Sequence, residues 1–293
     1  LLGEMFGLHA ANMDFARAYG LLKRIYVDSL GTSQPPINMG LVYLRAMYMG
    51  VFAKCAGICL ASNGSVGSAF LKRELTRVQM PGYVEAIYLV TSKFTVDEVI
   101  YGARDDVDIP VYTTRPEGAT FTVSEDGLRS WYIYPVLSKY LVVQVSNEVS
   151  ESEASILRKV KAYPADLEKW SKLESYVHNT ESSTLLSLLS VLAAIEISNG
   201  HEIGLSRYDQ VIRTVPGFAY SCIQGSDERI LHGIDLPAEL ASKIRSGKDP
   251  SSKAVLLRRE QVTIEGTQIV DVAHPIYSNR KRLGLIRIGF VWE

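Results

Sequence analysis

A pattern that occurs twice in the same order is the feature of this sequence that most restricts its fold. Pro81-Gly82-Tyr83 returns as Pro216-Gly217-Phe218, 135 positions later, and Tyr134-Pro135-Val136 returns as His274-Pro275-Ile276, 140 positions later. Two anchors that keep their order over almost the same distance predict a duplicated unit. We therefore expect an α+β fold of two tandem units in which long helices pack on an antiparallel sheet, each unit having its own core.

Length and hydrophobic periodicity place these units along the chain. A chain of 293 residues exceeds the usual size of one domain, and we divide it into residues 1–150 and residues 151–293. In each part, helical periodicity gives way to runs rich in β-branched and aromatic residues. The predicted helices cover residues 2–29, a stretch that ends at Leu60, and residues 66–78, 185–197 and 206–213. The predicted strands cover residues 83–90, 95–101, 120–123, 131–137, 140–146, 218–224, 229–231 and three stretches of the C-terminal region.

The C-terminal residues 268–293 have the pattern of a β-hairpin. Apolar and polar side chains alternate, a basic turn follows, and a second apolar run comes after the turn. Because proline has no amide hydrogen to donate, Pro275 is predicted to lie at an edge or an end of its strand, with the strand pair broken near it. Gly284 and Gly289 predict either a bulge or a close approach of a neighbouring backbone.

This hairpin resembles a known family. Ala273-His274-Pro275-Ile276, the charged turn, and Leu-Gly-Leu-Ile-Arg-Ile-Gly-Phe at residues 283–290 are similar to the closing hairpin of PAS-like extracytoplasmic sensor modules, the Cache domains of bacterial membrane receptors. The resemblance implies a small molecule held on the sheet face opposite the helices, a homodimer formed through the N-terminal helices, and a periplasmic location. It also implies membrane spans outside these residues and an output domain, such as a kinase, cyclase or phosphatase, that the last strand addresses.

Cytoplasmic GAF domains end with a similar proline-containing turn and glycine-rich strand, so a cytoplasmic GAF-PAS regulatory pair is the alternative. The three cysteines are too few and too scattered for a disulfide framework, and unpaired thiols favour that alternative. Residues 1–8 lack the basic start of a signal peptide. Residues 41–60 are apolar but contain Arg45 and Lys54, and a charge at the centre of a membrane span costs about 3 kcal/mol. This stretch is therefore predicted to be a buried helix.

Charge and motif content exclude several classes of function. Lys and Arg number 31 against 32 Asp and Glu, whereas a nucleic-acid surface requires a basic excess. Cys55 and Cys59 lie on one helical face without a ligand partner at zinc spacing, which favours buried thiols. The chain has no phosphate-binding loop, nucleophile elbow or zinc-protease motif. We therefore expect a protein that is not an enzyme, with no catalytic residue, no cofactor and no metal, and an activity screen would test this.

Aromatic and basic residues of the first sheet and its loop form the predicted ligand site. Aromatic rings provide apolar walls with a polar tip, and an arginine fork can hold a carboxylate, so we expect a carboxylate or amino-acid ligand. The candidate contacts are Tyr88, Tyr101, Arg104, Arg115 and Trp131 in the first unit, with His232 and Asp271 in the second. The alternative is that strand tyrosines simply pack half-buried, in a structural module that binds no ligand.

Strand parity selects among these residues. Val270, Val272 and Ile276 mark the core face of the last sheet, which leaves Asp271 on the other face. The repeat aligns Trp131 with Asp271. Trp131 is therefore predicted to face away from the helices while Tyr132 and Tyr134 face them, and Tyr88 is predicted to lie on the face opposite Tyr83.

Overall fold

The computed structural model describes residues 39–78, 80, 82–110, 118–124, 128–148, 167–215, 217–264 and 266–291. The predicted helix at residues 2–29, the proposed dimer surface and the candidate contact Arg115 lie outside these residues. In the described part, four α-helices and two antiparallel five-stranded sheets form an α+β fold. The predicted fold class is therefore confirmed at this level.

The first unit begins with helix α1, Met39–Leu75, which is bent where Gly64 has non-helical angles (φ 56°, ψ −139°). This is the position at which the sequence predicted one helix to end and another to begin. Five strands follow: β1 (Val84–Thr91), β2 (Val96–Tyr101), β3 (Thr120–Val123), β4 (Arg129–Val136) and β5 (Lys139–Ser146). A short 3-10 helix, Arg104–Asp106, lies in the loop between β2 and β3.

The second unit begins with helix α2, Leu167–Ser198, followed by a 3-10 helix, Glu202–Tyr208, and helix α3, Asp209–Ile212. Helix α4, Ala238–Arg245, and a 3-10 helix, Pro250–Lys253, lie between the second and third strands of its sheet. The five strands are β6 (Phe218–Gly225), β7 (Ile230–Ile234), β8 (Arg258–Ile264), β9 (Thr267–Ser278) and β10 (Lys281–Phe290).

Both sheets have the same strand order. The first runs β2-β1-β5-β4-β3 and the second runs β7-β6-β10-β9-β8, so in each sheet the first and last strands of the unit are central neighbours. The two sequence anchors occupy matching places. Tyr83 directly precedes the first strand of its sheet and Phe218 begins the first strand of the other, while Pro135 and Pro275 lie within the fourth strands.

The two long helices, α1 and α2, lie between the two sheets. Helix α1 packs on the first sheet, α2 packs on the second, and the helices pack on each other. Their apolar residues join the inner faces of both sheets in one continuous core. The expectation of a separate core for each unit is therefore wrong, since the helix pair joins them. Polar contacts cross the same junction, where the Tyr83 hydroxyl donates to the Glu181 carboxylate and Asn63 Nδ2 donates to Glu196 Oε1 at 3.2 Å.

The C-terminal hairpin is present, but its first strand is continuous. β9 passes through Pro275, which pairs with Leu285 of β10. Pairing of β9 with β8 ends at Ala273, so at Pro275 the strand has a neighbour on one side only and tolerates the missing amide. The predicted edge position of Pro275 is therefore confirmed, and the strand pair is not broken at Pro275 itself but has a register shift beside it, next to Ile276. The irregularity lies in β10 between Arg282 and Gly284, where a Cβ atom at Gly284 would collide with the main-chain oxygen of Gln224.

Candidate functional site

The side of the first sheet that faces away from α1, here called the first outer face, carries a small core of its own. Tyr88 and Trp131 lie there with Ile133, while Tyr83 and Tyr132 belong to the main core on the helix side. β4 and β5 pair without a register shift from Arg129 to Val136, so the parity of the strand is kept throughout. The predicted orientations of Tyr88, Trp131 and Tyr132 are confirmed.

A loop covers the first outer face and is held there by hydrogen bonds. The main-chain oxygen of Asp108 accepts one bond from the Tyr88 hydroxyl at 2.6 Å and another from Trp131 Nε1 at 2.9 Å. Both donors lie on the buried ends of aromatic side chains that are themselves packed in the sheet. The loop is therefore positioned by the two rings that the sequence predicted as ligand contacts.

Gln144 is the polar centre of this face. Its side chain is fully buried on β5, where Oε1 accepts from the Asp108 amide at 2.9 Å. Its Nε2 donates to the Asp106 main-chain oxygen at 2.9 Å and to Glu85 Oε2 at 2.8 Å. One buried amide thus satisfies three polar groups, which is what keeps a loop backbone close to an apolar face without orphaned donors or acceptors.

A charged group stands at the edge of the same face. Arg129 Nε donates to Glu85 Oε2 at 3.0 Å, and its Nη1 lies 3.6 Å from the Asp108 carboxylate. The Arg129 side chain remains 43% exposed, so the guanidinium is open to solvent on one side. The first outer face therefore combines two aromatic donors, a buried amide and an accessible cation.

The structure brings together only part of the predicted set. Tyr88 and Trp131 meet at the covering loop, but Tyr101 packs against the main core on the helix side. Arg104 is exposed in the short 3-10 helix, apart from the two rings. Sequence reasoning missed Gln144 and Arg129. Gln144 was detectable, because it is the single polar residue in the apolar run 141–145 and has the parity of the outer face.

The equivalent side of the second sheet, here called the second outer face, carries buried charges. Arg287 Nε donates to Asp271 Oδ1 at 3.1 Å, its Nη2 also donates to Asp271, and its Nη1 donates to Asp249 Oδ2 at 2.8 Å. The Tyr220 hydroxyl donates to Asp271 Oδ1 at 2.7 Å, and Ser252 Oγ donates to Asp249 Oδ2 at 2.7 Å. Asp249 comes from the segment after α4, so this network holds that segment on the sheet.

Burial and charge act in opposite directions on this network. Burial alone would lower the pKa of Arg287, but the carboxylates of Asp271 and Asp249 together raise it above its ordinary value. Burial also raises the pKa of Cys222 to about 12, so its thiol stays protonated at neutral pH. A side chain at Gly289 would collide with the Tyr220 ring, so the glycine is what lets this ring reach Asp271.

Gln224 also lies on the second outer face. Its side chain is 1% exposed, and neither its amide oxygen nor its amide nitrogen has a hydrogen-bond partner. The Gln224 amide lies near the Cys222 thiol and partly offsets the rise that burial causes in the pKa of Cys222. The two side chains nevertheless form no hydrogen bond of good geometry. α4 covers this region with Leu240 and Ile244, which pack on the same face.

His232 is not part of this network. Its Nε2 lies 2.6 Å from Asp209 Oδ1 of α3, and its strand position pairs with Ile223, which faces the main core. The structure therefore separates His232 from Asp271, although the sequence grouped them. Asp271 itself has the predicted orientation, away from the core residues Val270 and Val272.

The described residues give no sign of a metal centre or of a reactive cysteine. No group of three or more His, Cys, Asp or Glu residues in this part of the chain is arranged to hold a metal ion. Cys55, Cys59 and Cys222 are unpaired and buried. Burial raises the pKa of Cys59 to about 12 and that of Cys55 further still, which makes both thiols poor nucleophiles. Their interpretation as buried thiols is confirmed.

Two helical stretches, Met47–Leu75 and Asn179–Ser198, are long and apolar enough to cross a membrane by length and composition alone. In the structure they belong to α1 and α2, and 56% and 72% of their most apolar segments are buried inside the protein. Comparison with known protein families gave no match, and comparison with curated protein sequences gave none either.

Proposed function

We propose that the chain is the ligand-binding sensor region of a bacterial signal-transduction membrane protein and consists of two PAS-like units of the Cache type. The shared strand order, the helix on one face of each sheet and the covering segment on the other support this proposal. An antiparallel sheet covered on one side by helices leaves its second side available to enclose a small molecule. The ligand belongs to the first unit, and the output domain lies outside these residues.

The observation that carries the ligand proposal is the pair of hydrogen bonds that Asp108 accepts. The Tyr88 hydroxyl and Trp131 Nε1 converge on one carbonyl oxygen, at 2.6 and 2.9 Å, and Arg129 lies beside the carboxylate of the same residue. Two convergent neutral donors with a nearby guanidinium are the groups that recognise a carboxylate. A carboxylate or amino acid would compete with Asp108 for these donors and displace the covering loop.

Displacement of the loop provides the signal. Gln144 bonds the loop to β5, and β5 is hydrogen-bonded to β1 and β4 in the centre of the first sheet. The inner face of that sheet packs on α1, which in turn packs on α2 and the second sheet. A ligand that favours one of two loop positions would therefore shift the helix pair, and the second unit would pass the change on through β10.

A thermal-shift screen tests this proposal. Carboxylates and amino acids are compared with nucleotides, and a true ligand at 100 times its Kd should stabilise the protein by about 2.7 kcal/mol. Trp131→Phe keeps an aromatic ring but removes the N–H donor, and Arg129→Gln removes the cation, so each should reduce the shift. Arg229→Gln is the matched control, because Arg229 is 67% exposed in the second unit. A shift that survives both first-unit changes would place the ligand elsewhere.

The cytoplasmic alternative rests on one observation. The three cysteines of the chain are all free, as is usual in a reducing compartment. In that case the two units would form a GAF-PAS pair that regulates an attached signalling enzyme. Sequencing the full gene decides between these proposals, because hydrophobic spans on both sides of this region belong only to the membrane receptor.

A further inference from the structure

A cavity of about 680 Å³ lies at the junction of the two units, on the helix side of the second sheet and apart from both outer faces. Its walls come from the end of α1, the middle of α2, the end of β9 and the segment that precedes β8. Cavities of about 300–1,000 Å³ are the size that holds small molecules. The cavity also contains His274 and Pro275, the motif that the proposed function leaves without a role.

The wall formed by α2 offers hydrogen-bond acceptors. Ser183, Ser187 and Ser190 line the cavity, and each hydroxyl donates its proton to a main-chain oxygen of the preceding helical turn, at 2.7, 3.0 and 2.7 Å respectively. A hydroxyl that donates in this way keeps its oxygen lone pairs. The Ser183 oxygen already accepts from Arg259 Nη2 at 3.2 Å, so the acceptors that this wall offers are Ser187 and Ser190. This wall can therefore accept hydrogen bonds from a ligand.

His274 adds a further acceptor. Its Nδ1 lies 2.8 Å from the Pro275 carbonyl oxygen, which can only accept, so Nδ1 carries the hydrogen. Burial lowers the pKa of His274, which keeps the ring neutral at pH 7. The lone pair of a neutral ring then belongs to Nε2, which makes no hydrogen bond with the described residues.

The charged residues of the cavity leave a positive excess. Glu74 is bonded to Arg77 at 3.0 Å, and also accepts from Arg73 Nε at 2.9 Å. Arg280, in the turn between β9 and β10, forms no ion pair with the described part of the chain. Around this cation the walls are largely apolar, with Leu257 and Tyr277 among them.

We propose that this cavity binds a small organic anion whose apolar body carries a hydrogen-bond donor. The anionic group pairs with Arg280, the apolar body packs against Leu257 and Tyr277, and the donor reaches the serine oxygens or His274 Nε2. These contacts come from α2, β9 and the segments beside them, and the opposite wall of the same cavity includes Glu74 of α1. Its binding therefore depends on the relative position of the two units and is separate from the ligand of the first outer face.

Two related fluorescent probes test the proposal. 1-Anilinonaphthalene-8-sulfonate has an aromatic body, an N–H donor and one negative charge, and N-phenyl-1-naphthylamine is the same body without the sulfonate. Each is titrated into the wild-type chain and into Arg280→Gln, Ser187→Leu and the control Arg245→Gln, an exposed position on α4. Thermal melting of every variant confirms that it is folded.

The charged probe should bind the wild type saturably with one site per chain. Arg280→Gln should weaken it by about tenfold or more while the neutral probe is unaffected, because only the sulfonate needs the cation. Ser187→Leu should fill the cavity and weaken both probes. Arg245→Gln and Trp131→Phe should change neither. The absence of saturable binding, or equal binding to the wild type and Arg280→Gln, would overturn the proposal; should Ser187→Leu fail to fold, Arg280→Gln alone decides.

Discussion

The two outer faces belong to sheets with the same strand order but carry opposite chemistry. Trp131 pairs with Gln144 across β4 and β5, and at the equivalent place Asp271 pairs with Gly289 across β9 and β10. Two residues before Gln144, β5 has Val142 on the first outer face. Two residues before Gly289, β10 has Arg287 on the second. One backbone plan therefore carries neutral donors and rings in one unit and buried ion pairs in the other.

This difference shows how tightly each covering segment is held. The loop of the first unit is fastened by hydrogen bonds between neutral groups, which a ligand with similar acceptors can replace. The segment of the second unit is fastened by Asp249 to the buried Arg287, and separating such a pair leaves an uncompensated charge. The covering loop of the first outer face is therefore the easier of the two segments to displace, and the covering segment of the second outer face is the harder.

The strongest test of this contrast is removal of the buried cation. Arg287→Met leaves Asp271 and Asp249 without a counter-charge, and breaking a buried pair in this way costs about 3–5 kcal/mol. Urea unfolding should show this loss in the free energy of unfolding. A triple variant that adds Asp271→Asn and Asp249→Asn should recover much of it, since no buried charge remains. A loss below about 1 kcal/mol for Arg287→Met would contradict the assignment of a dry ion pair.

The corresponding change in the first unit should cost less. Gln144→Met fills a similar volume but leaves the Asp108 amide and the Asp106 carbonyl without their partner. Loss of a neutral partner by a buried group costs about 1–3 kcal/mol. If Gln144→Met lowered the free energy of unfolding more than Arg287→Met in the same urea experiment, the loop of the first unit would be held more tightly than the segment of the second, contrary to this comparison.

One substitution made on both faces sharpens the comparison. Tyr220→Phe removes a hydrogen bond to the Asp271 carboxylate and should cost about 1.5–3 kcal/mol, the range for bonds to charged groups. Tyr88→Phe removes a bond to a neutral carbonyl and should cost about 0.5–1.5 kcal/mol. Tyr277→Phe, which loses an exposed 3.3 Å contact with the Val255 carbonyl, is the control and should be nearly neutral. Equal losses for Tyr220 and Tyr88 would remove the distinction.

The smallest effect concerns pH and the junction cavity. Burial lowers the pKa of His274 below its usual 6.5, so as pH falls through about 6.5 the unfolded chain takes up a proton that the folded chain does not. Stability should decline as pH falls from about 7 to 5, and His274→Gln should make that decline shallower. Arg77 and Arg280 line the same cavity as His274. A wild-type curve that is parallel to that of His274→Gln would show that this ring does not titrate differently on folding.

Much of the fold was predictable because local pattern and global packing agree. The strand limits at Thr120–Val123 match the prediction, and the orientation of Trp131 followed from the parity of its strand. The two-residue turn at Asn279 and Arg280, both with positive φ, closes the hairpin where the basic residues predicted a turn.

The rest depended on contacts that link distant parts of the sequence. Asp249 gave no signal, since its partner Arg287 is 38 residues away and an acidic residue in a loop is usually solvated. Tyr101 was grouped with Tyr88 by residue type, although the β1–β2 register places it on the helix side. The continuity of β9 through Pro275 follows from where β8 ends, which no local rule contains.

Because α1 and α2 pack on each other between the two sheets, each unit depends on the other to bury the apolar surface of its long helix. α1 packs against its own sheet and against α2, and α2 packs against the second sheet and against α1. Either unit on its own would therefore expose the apolar surface of its long helix to solvent, and that surface would favour self-association or aggregation. The two outer faces can therefore change in sequence independently, whereas the packed surface between the helices has to change in both units together.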